Sequence, residues 1–135
     1  MAQSVTPYLT IKGAAQAITF YQKAFGAKEE TRMPAQDGKR VMHACLQIKG
    51  GQVFLCDEFP EHGGPGAPSR DHPAPVAVAL ALTKPAEVDA IYKQAVAAGA
   101  TSVLEPSDQF WGDRFAMLTD PFGHRWMLNA PLAKA

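Results

Sequence analysis

The stretch Trp111–Leu128, WGDRFAMLTDPFGHRWML, decides the fold, because it holds two short apolar runs joined by a tight turn. The turn is Asp120-Pro121-Phe122-Gly123, in which proline fixes φ and glycine supplies a positive φ. The flanking runs, Phe115–Leu118 and Trp126–Leu128, are therefore predicted to form the two arms of a β-hairpin.

The same construction occurs earlier, in Gly38–Leu55, where Gly50-Gly51 stands in the place of the later turn. Gly38-Lys39-Arg40-Val41 matches Gly112-Asp113-Arg114-Phe115, and Tyr21-Gln22-Lys23-Ala24 matches Tyr92-Lys93-Gln94-Ala95 at an offset of 71 residues. Each half is predicted to contain, in order, a strand, a helix and three further strands. The chain therefore contains two copies of one structural unit. One such unit cannot bury the concave face of its own sheet. Two units placed edge to edge would enclose that face and leave a central cavity.

Apolar periodicity predicts the remaining elements. In the first half these are strand Pro7–Ile11, a helix on the stripe Ala14–Phe25 that ends at Gly26, a weak strand Lys28–Met33, and a hairpin of Val41–Ile48 with Gln52–Asp57. In the second half they are strand Val76–Leu82, expected to be covered on both faces, a helix from Pro85 to Gly99, strand Thr101–Leu104 and a turn Glu105–Gln109. We expect one domain, residues 1–135, with repeat one at about 5–58, a linker at about 59–75 and repeat two at about 76–130.

Composition excludes several classes of partner. Thirteen basic and thirteen acidic side chains cancel, which argues against nucleic acid as a partner. No apolar run approaches the ~20 residues that cross a bilayer, so no membrane partner is expected. The first residues, MAQSVTPYL, have neither the basic leader nor the apolar core of a secretory signal. Cys45 and Cys56 are expected to be free thiols in a reducing cytoplasm, with a disulfide across the first hairpin as the alternative.

Four segments together resemble a known family. They are Pro7-Tyr8-Leu9, the run Phe20-Tyr21-x-x-Ala24-Phe25-Gly26-Ala27, Met42-His43-Ala44, and Trp111-Gly112-Asp113-Arg114 followed by Asp120–Trp126. The chain resembles the vicinal oxygen chelate superfamily (glyoxalase I, bleomycin-resistance proteins and extradiol dioxygenases), and within it the PhnB-like branch. The resemblance implies an α+β fold in which two βαβββ repeats form a curved, barrel-like mixed sheet around a cavity. It also implies a homodimer.

Enzymes of that superfamily hold a divalent metal with four His, Gln or Glu side chains from the first and last strand of each repeat. Those positions fall here on Thr6, Phe54, Ala77 and Met127. None is a usual ligand for such a metal, and a slip of one residue does not supply any. We therefore expect no cofactor, with a divalent metal held by displaced ligands as the alternative.

The same positions predict the lining of the cavity, because side chains two apart on a strand share a face. The predicted ligand-binding residues are Tyr8, Thr10, His43, Gln52, Phe54, Cys56, Phe115, Met117, Arg125 and Met127, and parity adds Val41 and Asn129. An apolar pocket with a few polar groups is typical of a small-molecule site. The Arg125 guanidinium could hold a carboxylate or phosphonate, or its stem could lie on apolar surface while its head reaches solvent or a partner chain.

Three further side chains have two interpretations each. His43 could be a general base near neutral pH or a hydrogen-bonded core histidine. His124 is predicted to point away from the cavity, where it would cap its turn or meet another subunit. Trp126 could stack on a ring-shaped ligand or belong to the core.

Three functions remain open on the sequence. The favoured one is binding of a small molecule, which Arg125 suggests is an anion, in a cavity without the usual metal, as in drug-sequestering members of the superfamily. The second is an enzyme: a metal-dependent lyase, isomerase or dioxygenase-like protein with ligands drawn from His43, Asp57 or Glu58, or a metal-free acid–base catalyst using His43. The third is a structural dimer with a vestigial pocket.

Overall fold

A computed structural model describes residues 3–132 of the chain, which fold as two similar α+β halves. Repeat one contains β1 (Tyr8–Ile11), α1 (Ala14–Phe25), β2 (Lys28–Pro34), β3 (Val41–Ile48) and β4 (Gly51–Asp57). Repeat two contains β5 (Ala77–Ala81), α2 (Pro85–Ala98), β6 (Thr101–Asp108), β7 (Asp113–Thr119) and β8 (Arg125–Pro131). The strand orders are β1-β4-β3-β2 and β5-β8-β7-β6, so the predicted duplication is present.

The strand registers confirm that the halves correspond. In each half the first strand pairs in parallel with the last, and the other pairs are antiparallel. Both second strands also carry one extra residue at the same place, Glu30 in β2 and Val103 in β6. A bulge of this kind turns the chain and displaces the side chains that follow it.

Both helices begin and end where the sequence predicts. The carboxylate of Asp57 accepts hydrogen bonds from the backbone N–H groups of Gly13 and Ala14, at 3.0 Å each, and so caps α1 from the end of β4. Gly26 ends the helix with a φ of 69°, which glycine adopts without strain. Helix α2 begins differently, with proline at its first position, but it also ends at a glycine of positive φ, Gly99.

One core joins the halves. Alternate side chains of both sheets pack beneath the helices, and the largest of them, Trp126, is completely buried. The helices also meet each other, since the Gln94 amide donates to the backbone oxygens of Lys23 and Ala24 at 2.8 and 3.1 Å. Both halves therefore contribute to one continuous core, whose burial stabilises the fold by ~25 cal/mol per Å² of apolar surface.

Three predictions about the strands are wrong. Strand β6 continues to Asp108 where a turn was predicted, because an edge strand tolerates Pro106 on its unpaired side. Strand β5 is covered on one face only, since Leu80 is buried while Ala79 and Ala81 are exposed. Val41 lies in the core and does not share a face with His43, because the pairing of β2 with β3 skips a residue beside it.

The faces opposite the helices are open in the single chain. The sheets lie edge to edge and are curved, without closing into a barrel. An open pocket of about 280 Å³ lies between repeat one, where Pro7, Gln52 and Val53 line it, and residues 78–81 of repeat two. The segment that connects β4 with β5 lies against repeat two. There the Ala74 N–H donates to the backbone oxygen of Gly123, and the Arg70 guanidinium donates to the backbone oxygen of Gly99. Within residues 3–132, no helix has the length and hydropathy needed to cross a bilayer.

Candidate functional site

On the open face of sheet one, four of the predicted site residues lie together. Tyr8 pairs with Phe54 across β1 and β4, and their rings are 5.8 Å apart. The ring of His43 approaches Phe54 from β3 at 5.1 Å. A hydrogen bond of 2.8 Å joins the Tyr8 hydroxyl to Nδ1 of His43, and Cys56 lies beside that hydroxyl. His43 is therefore held by a neighbour and also stands on the open face.

The protonation states in this cluster limit its chemistry. Burial and the neighbouring Cys56 raise the pKa of Tyr8, so the group remains a neutral hydroxyl at physiological pH. Burial also raises the pKa of the Cys56 thiol, which outweighs the lowering effect of hydrogen bonds with Tyr8 and Thr10. A thiol of raised pKa is a poor nucleophile. With Nδ1 of His43 engaged by Tyr8, any proton transfer to a ligand would use Nε2.

Gln52 lies on the same face but contacts residues outside this cluster. Its amide donates to the carboxylate of Glu30 at 3.4 Å, and the thiol of Cys45 lies 3.5 Å from the same oxygen. Glu30 is the bulged residue of β2, which explains why its side chain meets residues of the open face. Sequence reasoning missed Glu30, because a two-residue alternation cannot reveal an inserted residue. Both cysteines are free, and Cys45 stands opposite Phe54 in the ladder.

Sheet two carries the other predicted residues in an ordered row. Trp126 and Leu128 enter the core, so the alternate residues Arg125, Met127 and Asn129 of β8 lie on the open face. Their partners on β7 follow in register, with Met117 opposite Met127 and Phe115 opposite Asn129. Trp111 extends the row beyond β7, since its ring centroid lies 5.8 Å from that of Phe115.

Arg125 has an unusual environment for a surface arginine. Its Nε atom is buried, and no hydrogen-bond acceptor reaches it from the described residues. An unpaired buried N–H costs ~1–3 kcal/mol, and more when the group is charged. A stem that lies on apolar surface accounts for the burial of Nε. An anion at the open face would give the guanidinium the partner that the described residues do not supply.

Behind the site, a buried network joins the two repeats. Asp120, from the turn before β8, is fully buried, and its Oδ2 accepts hydrogen bonds from the Tyr21 hydroxyl at 2.5 Å and the Trp126 indole at 2.9 Å. Its Oδ1 accepts from two backbone N–H groups of its own turn. Trp126 is thus a core residue, and stacking on a ligand is excluded for it. Sequence analysis did not find the Asp120 network, because Tyr21 lies 99 positions away.

His124 also connects the repeats. As predicted, it points away from the open face. It is buried, and its Nε2 lies 2.9 Å from the backbone oxygen of Thr10 in the other repeat. Thr10 and Arg125 are therefore brought to the same junction between the sheets, although they stand in different halves.

The equivalent arginines of the two repeats are engaged in structural ion pairs. Arg40 pairs with Asp37 and Glu61, and backbone N–H groups of Arg40 and Lys39 help to lower the pKa of Asp37 to about 2. Arg114 pairs with Asp89 and Asp108. Neither guanidinium is available to a ligand in the way that Arg125 is.

The residues at the superfamily's metal positions do not fit a metal. The register places Tyr8 opposite Phe54 and Ala79 opposite Met127, so Thr6 and Ala77 stand two residues before equivalent places. The internal correspondence of the four positions therefore holds. Their side chains supply one hydroxyl, one thioether and two groups without donor atoms, which is not a set that holds Zn, Ni, Fe or Mn.

The alternative set of displaced ligands is not assembled either. Asp57 is buried on the helix side of β4, where its two oxygens accept three backbone N–H groups, from Gly13, Ala14 and Val41. Glu58 accepts the N–H of Ala67. His43 is on the opposite face. Across the described part of the chain, no three His, Cys, Asp or Glu side chains are grouped as metal ligands would be.

Comparison with known proteins places this geometry in a family. The chain is 43% identical over 131 residues to the "Uncharacterized protein Mb0911c" of Mycobacterium bovis, a match that covers 96% of this chain and 84% of the relative. Its fold is similar to that of PA1353 from Pseudomonas aeruginosa, with a TM-score of 0.75 and 24% identity over 98% and 100% of the two chains. It is also similar to that of a PhnB protein from Bacillus cereus, with a TM-score of 0.71 and 20% identity over 97% and 100%.

The model of one family matches residues 4–128, which include both repeats up to the middle of β8 and every predicted site residue except Asn129. Its description is Glyoxalase/Bleomycin resistance protein/Dioxygenase superfamily. The chain therefore belongs to the glyoxalase/bleomycin resistance protein/dioxygenase superfamily.

Proposed function

We propose that this protein binds a small anionic molecule against its open sheet faces, with Arg125 holding the anion and without a metal at the superfamily's usual positions. The proposal places the chain in the PhnB-like branch, on the motif residues and on the fold likeness to the Bacillus cereus protein. It also includes a cytoplasmic location, a compartment that suits two free thiols.

The unpartnered Nε of Arg125 carries the proposal. A guanidinium binds a carboxylate or phosphonate through two parallel N–H···O bonds, which are stronger than bonds between neutral groups. At Arg125 one of the donors is already desolvated, so the cost of burying it is present before the ligand arrives. The neighbouring Met127 and Met117 supply the apolar contact that a small-molecule site needs.

A second copy of the chain is part of this proposal, because one copy leaves the site open. Tyr8, Met33 and Trp111 are each more than half exposed, and Phe110 is 97% exposed. Exposed apolar surface of this kind marks interaction sites. A dimer in which the face of one repeat covers the face of another would enclose the ligand.

The test is calorimetric titration with benzoate and phenylphosphonate, compared with neutral benzamide. The variant Arg125→Gln should weaken binding of both anions by about tenfold to a hundredfold, which matches ~1.5–3 kcal/mol for a hydrogen bond to a charged group. Binding of benzamide should change little. Arg32→Gln removes an exposed arginine from an ion pair with Glu29 and serves as the matched control. Equal losses for anions and benzamide would refute the role of Arg125.

A second candidate function is metal-free acid–base catalysis, favoured by the bond between Tyr8 and His43. A histidine positioned in this way could take a proton from the carbon next to a carbonyl group. Exchange of the methyl protons of pyruvate in D₂O, followed by NMR, measures that step. Exchange that the protein accelerates and that His43→Gln abolishes would favour the enzyme; exchange at the buffer rate leaves binding as the proposed function.

A further inference from the structure

We propose that the ligand is an elongated carboxylate, with its charged group at Arg125 and an apolar tail running along β7 and β8 to Trp111. This inference rests on the proposed function and adds the class and length of the ligand. It depends on residues of a single sheet in one chain, so it does not require a particular dimer.

The open face of sheet two forms a straight row with distinct ends. Arg125 and Asn129 are separated by four residues of β8, which corresponds to about 13 Å at ~3.3 Å per residue. Met127 and its partner Met117 lie between them, and Phe115 pairs with Asn129 at the far end. Trp111 continues from Phe115. The row thus starts with a guanidinium, continues with two thioethers and ends with two aromatic rings.

The residues on the two sides of this row differ in size, and we call the row together with its flanking residues the trough. On the β5 side stand Ala77, Ala79 and Ala81, which pair with Arg125, Met127 and Asn129. On the other side stand Met117 and Phe115 of β7, with Leu104 of β6 opposite Met117. Small side chains beside large ones would form a channel that runs parallel to the strands. The exposure of Ala79 and Ala81 shows that the single chain does not fill it.

Charge sets the direction of the ligand. Arg125 lies at one end with an unpaired buried donor. By alternation Asp113 lies on the same face beyond Phe115, where its carboxylate would repel an anion. Methionine side chains adapt their shape to a flexible chain. A molecule of about ten carbons with one terminal carboxylate would match the polarity and the length of the trough.

The fluorescence of the two tryptophans can report the binding of this ligand. Trp111 is 53% exposed, whereas Trp126 is completely buried. A tail that reaches the end of the trough would remove water from Trp111 and leave Trp126 unchanged. The fluorescence of the protein therefore reports where the tail ends.

The experiment titrates the full chain with straight-chain carboxylates of four to fourteen carbons and with their methyl esters, all below their micelle concentrations. We expect affinity to rise by up to about fourfold for each methylene added, up to about ten carbons, and then to level off. The acids should bind at least tenfold more tightly than the esters. Only acids of about ten carbons or more should shift the emission to shorter wavelength, and Trp111→Phe should abolish that shift.

A blocking variant provides the matched control. Ala81→Leu adds bulk at the far end of the trough, at an exposed position opposite Asn129, and should weaken decanoate by tenfold or more and butyrate much less, because butyrate is too short to reach it. Ala90→Leu places the same side chain on the exposed face of α2 and should affect neither acid.

Each other outcome is decisive. Equal affinity from butyrate to tetradecanoate would overturn the elongated ligand and leave anion binding at Arg125 intact. Absence of binding by every carboxylate would remove the proposed function as well. An emission shift produced by protein concentration, with neither binding nor a further shift on adding decanoate, would mean that a second copy fills the trough and leaves no room for the tail, which also overturns the inference.

Discussion

Replacing Tyr21 with phenylalanine tests whether the buried carboxylate of Asp120 joins the two repeats into one folding unit. Tyr21 belongs to α1 in repeat one, and its hydroxyl donates to Oδ2 of Asp120 in repeat two at 2.5 Å. Both residues are fully buried. Phenylalanine keeps the ring contacts with Phe25 and Trp126 and removes only the hydroxyl.

The expected loss follows from the charge of the acceptor. A hydrogen bond to a charged group contributes ~1.5–3 kcal/mol, so Tyr21→Phe should reduce the free energy of unfolding by about 2 kcal/mol. For a chain of this length an unfolding entropy of ~2.1 cal/mol/K per residue converts that loss into a fall in Tm of about 7 °C. Urea denaturation followed by circular dichroism, together with scanning calorimetry, measures both values.

The repeat supplies a matched control. Tyr92 occupies the equivalent position in α2, but its hydroxyl donates to the Ser102 hydroxyl at 2.7 Å near the surface. Tyr92→Phe should cost about 0.5 kcal/mol, because a neutral exposed bond contributes little. If the two variants lost the same stability, the Asp120 network would not hold the repeats together.

Alkaline pH gives a second measurement of the same group. Burial and the Asp120 charge raise the pKa of Tyr21 well above its usual value of 10.0. Above pH 10 the unfolded chain therefore loses a proton that the folded chain keeps, and stability falls by up to ~1.4 kcal/mol per pH unit. Tyr21→Phe should be less sensitive to pH in this range than the wild type. An unchanged slope would contradict the assignment.

Further predictions concern the backbone, the cap of α1 and the thiols. Gly123→Ala should lower the free energy of unfolding by more than ~2 kcal/mol in urea denaturation, because φ is +92° and a Cβ would lie 2.4 Å from the linker backbone. Gly112 has a similar φ but open space around it, so Gly112→Ala should lower the free energy of unfolding by about 1 kcal/mol. Equal losses would exclude a role for linker packing. Asp57→Ala should lower the free energy of unfolding by about 3 kcal/mol, because three buried or partly buried N–H groups lose their acceptor. A loss below ~1 kcal/mol would show that water replaces the carboxylate. Iodoacetamide at pH 8 should alkylate Cys45 and Cys56 more slowly than free cysteine, because burial raises the pKa of both thiols. Mass spectrometry measures the rate at each residue. A reaction at Cys56 that is faster than that of free cysteine would indicate an activated nucleophile.

Local chemistry made much of the fold predictable. The Asp-Pro-Phe-Gly turn, the apolar stripe of α1 and its glycine cap each depend on a few neighbouring residues, and each is found where it was predicted. The faces of β8 followed from the resemblance, which puts Met127 on the cavity side. Alternation along the strand then placed Arg125 on the same face as Met127.

Long-range and irregular features were not predictable. The extra residue Glu30 interrupts the two-residue alternation of side chains along β2, which the sequence pattern does not reveal. The burial of Val41 follows from a similar irregularity at the start of β3. The carboxylates of Asp57 and Asp120 are committed to backbone or side-chain donors that only the tertiary structure brings near. The unpaired Nε of Arg125 likewise depends on what surrounds the side chain, which a strand pattern does not specify.

A crystal structure of the protein soaked with 10-bromodecanoate tests the proposed binding site most directly, because the bromine locates the tail by anomalous scattering. We expect the carboxylate oxygens within hydrogen-bond distance of Arg125 Nε, and the bromine near Trp111. A carboxylate bound elsewhere while Arg125 keeps its present environment would contradict the site. So would a metal ion held among Thr6, Phe54, Ala77 and Met127.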